Sequence, residues 1–123
     1  MTEIRELLKT IELHDSTLDS LKINGDGSLE LVIDIDEVWN KDLDKNIKGI
    51  VFSSVYEISD FKVDRMNIIG SIEIEDIDDY NTDFVTHNQD NLDSVVLVSI
   101  EFVAGGSLNI ICSGTAGYLL CQA

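Results

Sequence analysis

Leu29, Leu31, Ile33 and Ile35 alternate with Glu30, Val32, Asp34 and Asp36. A period of two is what a strand needs when one face is buried and the other is wet. Just before this run, Asn24-Gly25-Asp26-Gly27 supplies two overlapping turn signals. Before that, Thr17 to Ile23 alternates less regularly, with Leu18, Leu21 and Ile23 apolar. Together they predict a β-hairpin.

The rest of the chain continues this pattern. Ile47 to Tyr56 is a β-branched and aromatic run, and Ile58 to Val63 alternates weakly. Met66 to Ile77 carries Ile68, Ile72, Ile74 and Ile77, with Gly70 marking a bulge or bend. Val95 to Val103 and Leu108 to Cys112 flank Ala104-Gly105-Gly106-Ser107 as a second hairpin, and Gly114 to Cys121 supplies a last short strand. Asn40 to Asn46 reads as a polar loop, and 78–93 as a long acidic connection.

Helical periodicity occurs only at the start. Ile4, Leu7, Leu8 and Ile11 fall on one stripe, which predicts a helix over 2–11 with Thr2 as its N-cap. So short a helix must dock on the remainder to persist. No crossover helices separate the strands, so the sheet is antiparallel. The expected fold is α+β and mostly β: six to seven antiparallel strands in a rolled or doubled sheet, with one short N-terminal helix. At 123 residues, 44% of them hydrophobic, the chain is expected to form a single domain over 1–123.

Charge narrows the function. Asp and Glu total 24 against 8 Lys and Arg, a formal charge of -16. Every basic residue (Arg5, Lys9, Lys22, Lys41, Lys45, Lys48, Lys62, Arg65) precedes Met66, and acids alone follow it. Such a field repels nucleic-acid phosphates and anionic lipid head groups and attracts basic proteins. No nucleic acid and no membrane is therefore expected as a partner. Acids occupy the N-terminal positions where an export signal would be cationic, and Cys112 and Cys121 read as reduced thiols. Both point to a cytoplasmic location.

No constellation points to catalysis. His14-Asp15-Ser16 holds the residue types of a hydrolase triad, but sequence neighbours do not converge as a relay. A corner fits better, with Asp15 or Ser16 capping a turn and His14 tying it. His14, His87, Cys112 and Cys121 lack the short-spaced pairs of a zinc site. A calcium loop over Lys22 to Ile33 fails at both ends, where Lys22 and Ile33 replace the required acids. Trp39, the single tryptophan, follows Val38 at a strand end and reads as core or rim. We expect no catalytic residues, metal or cofactor.

The densest acidic cluster is Glu73, Glu75, Asp76, Asp78, Asp79 and Asp83, with Tyr80 inside it. It reads as a solvated face, as a partner-binding surface on which carboxylates meet Lys or Arg and Tyr80 anchors, or, last of the three, as oxygen ligands that hold Ca²⁺ weakly.

Leu13-His14-Asp15-Ser16-Thr17-Leu18-Asp19-Ser20-Leu21, followed by a turn and Leu29-Glu30-Leu31-Val32-Ile33, resembles the start of small acidic bacterial proteins with a His-Asp-Ser segment. Gly106-Ser107-Leu108-Asn109-Ile110-Ile111-Cys112 is similar to their closing strand. Several such groups are immunity proteins of polymorphic or contact-dependent toxin systems. The resemblance implies a cytosolic antitoxin that masks a toxin domain by binding it. The charge of -16 suits a basic toxin surface, and Ile- and Val-rich strand edges set against that charge leave monomer or homodimer open. The alternatives are a small-molecule or metal-binding β domain, or an adaptor protein.

Overall fold

The structure is a computed structural model, and it describes residues 2–59, 67–77 and 95–121. In chain order the elements are β1 (Thr2–Glu3), α1 (Ile4–Leu8), β2 (Thr17–Ile23), β3 (Leu29–Asp34), β4 (Ile47–Phe52) and β5 (Val55–Ser59). They continue with β6 (Ile69–Asp76), β7 (Val96–Phe102), β8 (Ser107–Cys112) and β9 (Thr115–Leu120). The strands form two antiparallel sheets, ordered β1-β9-β4-β3-β2 and β5-β8-β7-β6. The mostly-β, antiparallel expectation holds in its doubled form. Nine strands among the described residues replace the six or seven expected.

The extra strands arise where the chain changes sheet. The run from Ile47 to Tyr56 is not one strand: β4 ends at Phe52, and β5 begins at Val55 in the other sheet. The partner run changes sheet at the same place, between Cys112 of β8 and Thr115 of β9. Backbone pairing carries across the bend, since Ser53 N–H donates to the Thr115 carbonyl and Ser113 N–H to that of Ser54. Two long antiparallel strands therefore fold over together. Gly114, at φ 83°, takes the left-handed conformation that a side chain would resist.

Both predicted hairpins form. β2 pairs with β3 from Thr17 opposite Asp34 to Ile23 opposite Leu29, with one irregularity between Leu18 and Ser20. In the connecting turn Asp26 accepts from the Ser28 N–H at 2.9 Å and from its hydroxyl at 2.7 Å. These bonds hold the Asp26 carboxyl below its usual pKa. β7 and β8 pair in the second hairpin, closed by Phe102 N–H donating to Gly106 C=O. The bulge expected at Gly70 is also present, because the register of β6 on β7 shifts between Ile69 and Ser71.

The N-terminal helix is shorter than its periodicity predicts. Thr2 and Glu3 pair with Ala116 and Thr115 as β1, so Thr2 does not cap the helix. Helical bonding ends in a turn, with Lys9 N–H on Glu6 C=O and Thr10 N–H on Leu7 C=O. Ladder bonds to β9 outweigh the modest propensity of two extra helical residues. The apolar stripe still docks, with Ile4, Leu7 and Ile11 buried.

The core lies between the sheets. Leu29, Leu31, Ile33, Ile50 and Phe52 from one face meet Val98, Ile100, Leu108, Ile110 and Cys112 from the other. Burial pushes the Cys112 thiol pKa up, and Cys112 and Cys121 are both free. A second cluster of Ile77, Val95, Leu97 and Ile111 is buried separately. No helix among the described residues is long and apolar enough to cross a membrane.

Candidate partner-binding surface

Residues directly opposite in an antiparallel ladder share a face. Val98, Ile100 and Ile110 turn into the main core, so the residues between them turn outward. Three rows then cross the outer face of the β5-β8-β7-β6 sheet. Ser71 stands opposite Glu101, and Glu101 opposite Ser107. Glu73 faces Ser99, Ser99 faces Asn109, and Asn109 faces Ser59. In the third row Glu75, Leu97, Ile111 and Glu57 follow one another.

Glu57, Glu73, Glu75 and Glu101 thus share one face, and all four are exposed. The four strands contain no Lys or Arg. Among the described residues none of these carboxylates pairs with a cation. The hydrogen bond from Ser99 Oγ to Asn109 Oδ1, at 2.9 Å, ties the middle row. The central apolar pair Leu97 and Ile111 belongs to the second buried cluster. Leu97 and Ile111 are buried between Glu75 and Glu57, so the four exposed carboxylates stand around a covered apolar patch, an arrangement whose field attracts cations.

The sequence cluster divides on folding. Glu73 and Glu75 lie on this face. Asp76 has the opposite strand parity, and its carboxylate meets the Arg5 guanidinium at 3.2 Å. Asp78, Asp79, Tyr80 and Asp83 lie outside the described residues. Glu57 and Glu101 join the face although sequence reasoning did not select them. The available signal was strand alternation, Glu57 between Tyr56 and Ile58 and Glu101 between Ile100 and Phe102. Neither is near residues 73–83 in sequence.

Beside this face, α1, the following corner and β6 enclose an open groove of about 810 Å³. Leu8, Ile11, Leu13, Ile72 and Ile74 supply its apolar lining, with His14 and Trp39 on one wall. Its two cations are already engaged, Arg5 by Asp76 and Lys9 by Glu6 at 3.0 Å.

A corner forms at His14-Asp15-Ser16 as expected, closed by Ser16 N–H on Leu13 C=O, but the Asp15 and Ser16 side chains bond Trp39 and Asp36 and do not cap it. Asp15 sits at φ 68°, in the left-handed region that Asp tolerates better than most residues. Its N–H donates to Ile69 C=O, and Ile69 N–H donates to Ser16 C=O, which joins the corner to β6. The buried Ser16 hydroxyl accepts from Asp36 N–H at 2.9 Å, which places it in a structural bond. Trp39 donates its indole N–H to Asp15 Oδ2 at 3.1 Å, and His14 Nδ1 lies 3.3 Å from the same oxygen. Trp39 is 56% exposed, so it is rim and not core.

A second depression, of about 580 Å³, mixes Lys41, Lys45 and Lys48 with Asp34, Glu37 and Asp44. Its balanced charge selects for neither sign of ligand. No three metal-ligating side chains converge among the described residues. No family model, curated protein or solved structure matches the chain.

Proposed function

We propose that this chain is an immunity-type protein that binds a basic bacterial toxin domain and neutralises it by occlusion, without turnover. The observation that supports this reading is the face carrying Glu57, Glu73, Glu75 and Glu101 on four strands without a single Lys or Arg. Solubility alone calls for a net charge of magnitude roughly 2–8, and this chain carries -16. A rigid sheet fixes the spacing of the four carboxylates, so little ordering entropy is lost when cations meet them. The field beyond the face steers a cationic partner and can raise association from roughly 10⁵–10⁶ towards 10⁸–10⁹ M⁻¹s⁻¹ at low salt.

The test pairs the chain with the toxin domain encoded beside its gene. Stoichiometric chain is expected to abolish the toxin's activity. Replacing Glu57, Glu73, Glu75 and Glu101 together by Gln should weaken the complex by roughly 4- to 900-fold, since each exposed charge pair contributes roughly 0.2–1 kcal/mol. An unchanged affinity of the quadruple variant for the toxin would remove the acidic face as the contact surface.

A further inference from the structure

The backbone of β6 carries information that its side chains do not. Phe102 N–H donates to Gly106 C=O, so on β7 the even-numbered residues turn their backbone groups towards β8. The odd-numbered residues of β7 therefore bond β6, through their partners Glu73 and Glu75. Alternation then directs the N–H and C=O of Ile72 and Ile74 away from β7, to the side where the corner and the start of β2 pair with residues 67–69 but, among the described residues, no strand continues alongside Ile72 and Ile74.

This edge has two chemically different flanks. On the outer side stand Glu73 and Glu75. On the other, Ile72 and Ile74 line the groove beside Leu8, Leu13 and Trp39. A strand laid along β6 would alternate in the same way, with every second side chain over the carboxylates and the others in the apolar groove.

Building on the proposed function, we infer that the partner docks an extended segment on β6 as an added strand, with Lys or Arg alternating with apolar residues. Main-chain bonds to Ile72 and Ile74 hold the segment. Its cations meet Glu73 and Glu75, and its apolar side chains fill the groove. Charge complementarity selects this occupant over a second copy of the chain. A second β6 would bring its own Glu73 and Glu75 against the same pair, and like charges across strands are destabilising.

The test uses a short capped peptide of alternating Lys and Val with the full chain. Amide hydrogen exchange at Ile72 and Ile74 is expected to slow on binding, and Trp39 fluorescence is expected to shift. Two further peptides carry backbone N-methyl groups at every second residue, one in each phase. The phase that removes the donors facing β6 should lose affinity by about tenfold or more, because its main-chain bonds to β6 are lost, while the other binds. Equal binding by both phases, equal binding by a peptide of the same composition in scrambled order, or unchanged exchange at Ile72 and Ile74 would overturn strand addition. Toxin neutralisation is measured separately. If the toxin complex forms while exchange at Ile72 and Ile74 stays unchanged, strand addition fails and the inhibitor reading stands. If the peptide docks on β6 and the toxin does not bind, the inhibitor reading fails.

Discussion

The hydroxyl oxygens of Ser53 and Ser113 lie 2.8 Å apart at the line where both long strands cross from one sheet to the other. The Ser53 hydroxyl also contacts the Thr115 hydroxyl. Backbone pairing alone leaves these side chains half-buried and polar at a bend, and each satisfies the next. Ser53→Ala should lower stability by about 1 kcal/mol, the usual net worth of a hydrogen bond with part of a desolvation cost. The denaturant midpoint should fall with its slope unchanged.

Gly49 makes a sharper case. A Cβ there would stand 1.8 Å from the Leu31 carbonyl oxygen, next to the register shift between Ile47 and Gly49. The obstacle is backbone and has no rotamer to escape into. Gly49→Ala should therefore cost about 3 kcal/mol, the upper part of the usual range for overpacking. Gly25→Ala, with open space around its position, serves as the control.

The Asp26 turn predicts a pH effect with a definite sign. The Ser28 hydroxyl and N–H hold the folded carboxyl below the ordinary 3.8. A group with a depressed folded pKa stabilises the fold above its unfolded pKa, and that contribution disappears as pH falls through the folded value. A carboxyl-resolved NMR titration should place Asp26 below the ordinary 3.8. Ser28→Ala should move it back up part of the way, because the bond to the residue 28 N–H survives.

The thiols should differ in reactivity. Cys112 is wholly buried and its pKa is raised, whereas Cys121 is exposed. A thiol reagent should titrate one cysteine quickly in the native protein and the second only on unfolding. Two fast equivalents would contradict the placement of Cys112 between the sheets.

Much of the fold was legible because its signals are local. The Asn24-Gly25-Asp26-Gly27 turn, the Gly70 bulge and the Gly105-Gly106 hairpin are each written within a few residues of where they act. The passage from β4 to β5 was not, because Ser53-Ser54 carries no Gly or Pro and only the paired bend at Ser113-Gly114 makes it a boundary. Thr2 likewise reads as a cap, and only a strand more than a hundred residues later makes it part of a sheet. The acidic surface was legible in part. Residues Glu73 and Glu75 were evident from density of charge, while Glu57 and Glu101 reach the same face through long-range register. Asp76 follows directly after Glu75 yet belongs to the other side, where Arg5 meets it.

The measurement that bears most directly on the central claim is the association rate of the chain with its basic toxin partner as ionic strength rises. The proposed acidic face predicts a rate approaching 10⁸ M⁻¹s⁻¹ in dilute salt, roughly. That rate should fall by at least about tenfold as the screening length shrinks from about 30 Å to a few ångströms. The Gln variant at Glu57, Glu73, Glu75 and Glu101 should start lower and fall less. A rate indifferent to salt, or identical for the two proteins, would contradict it.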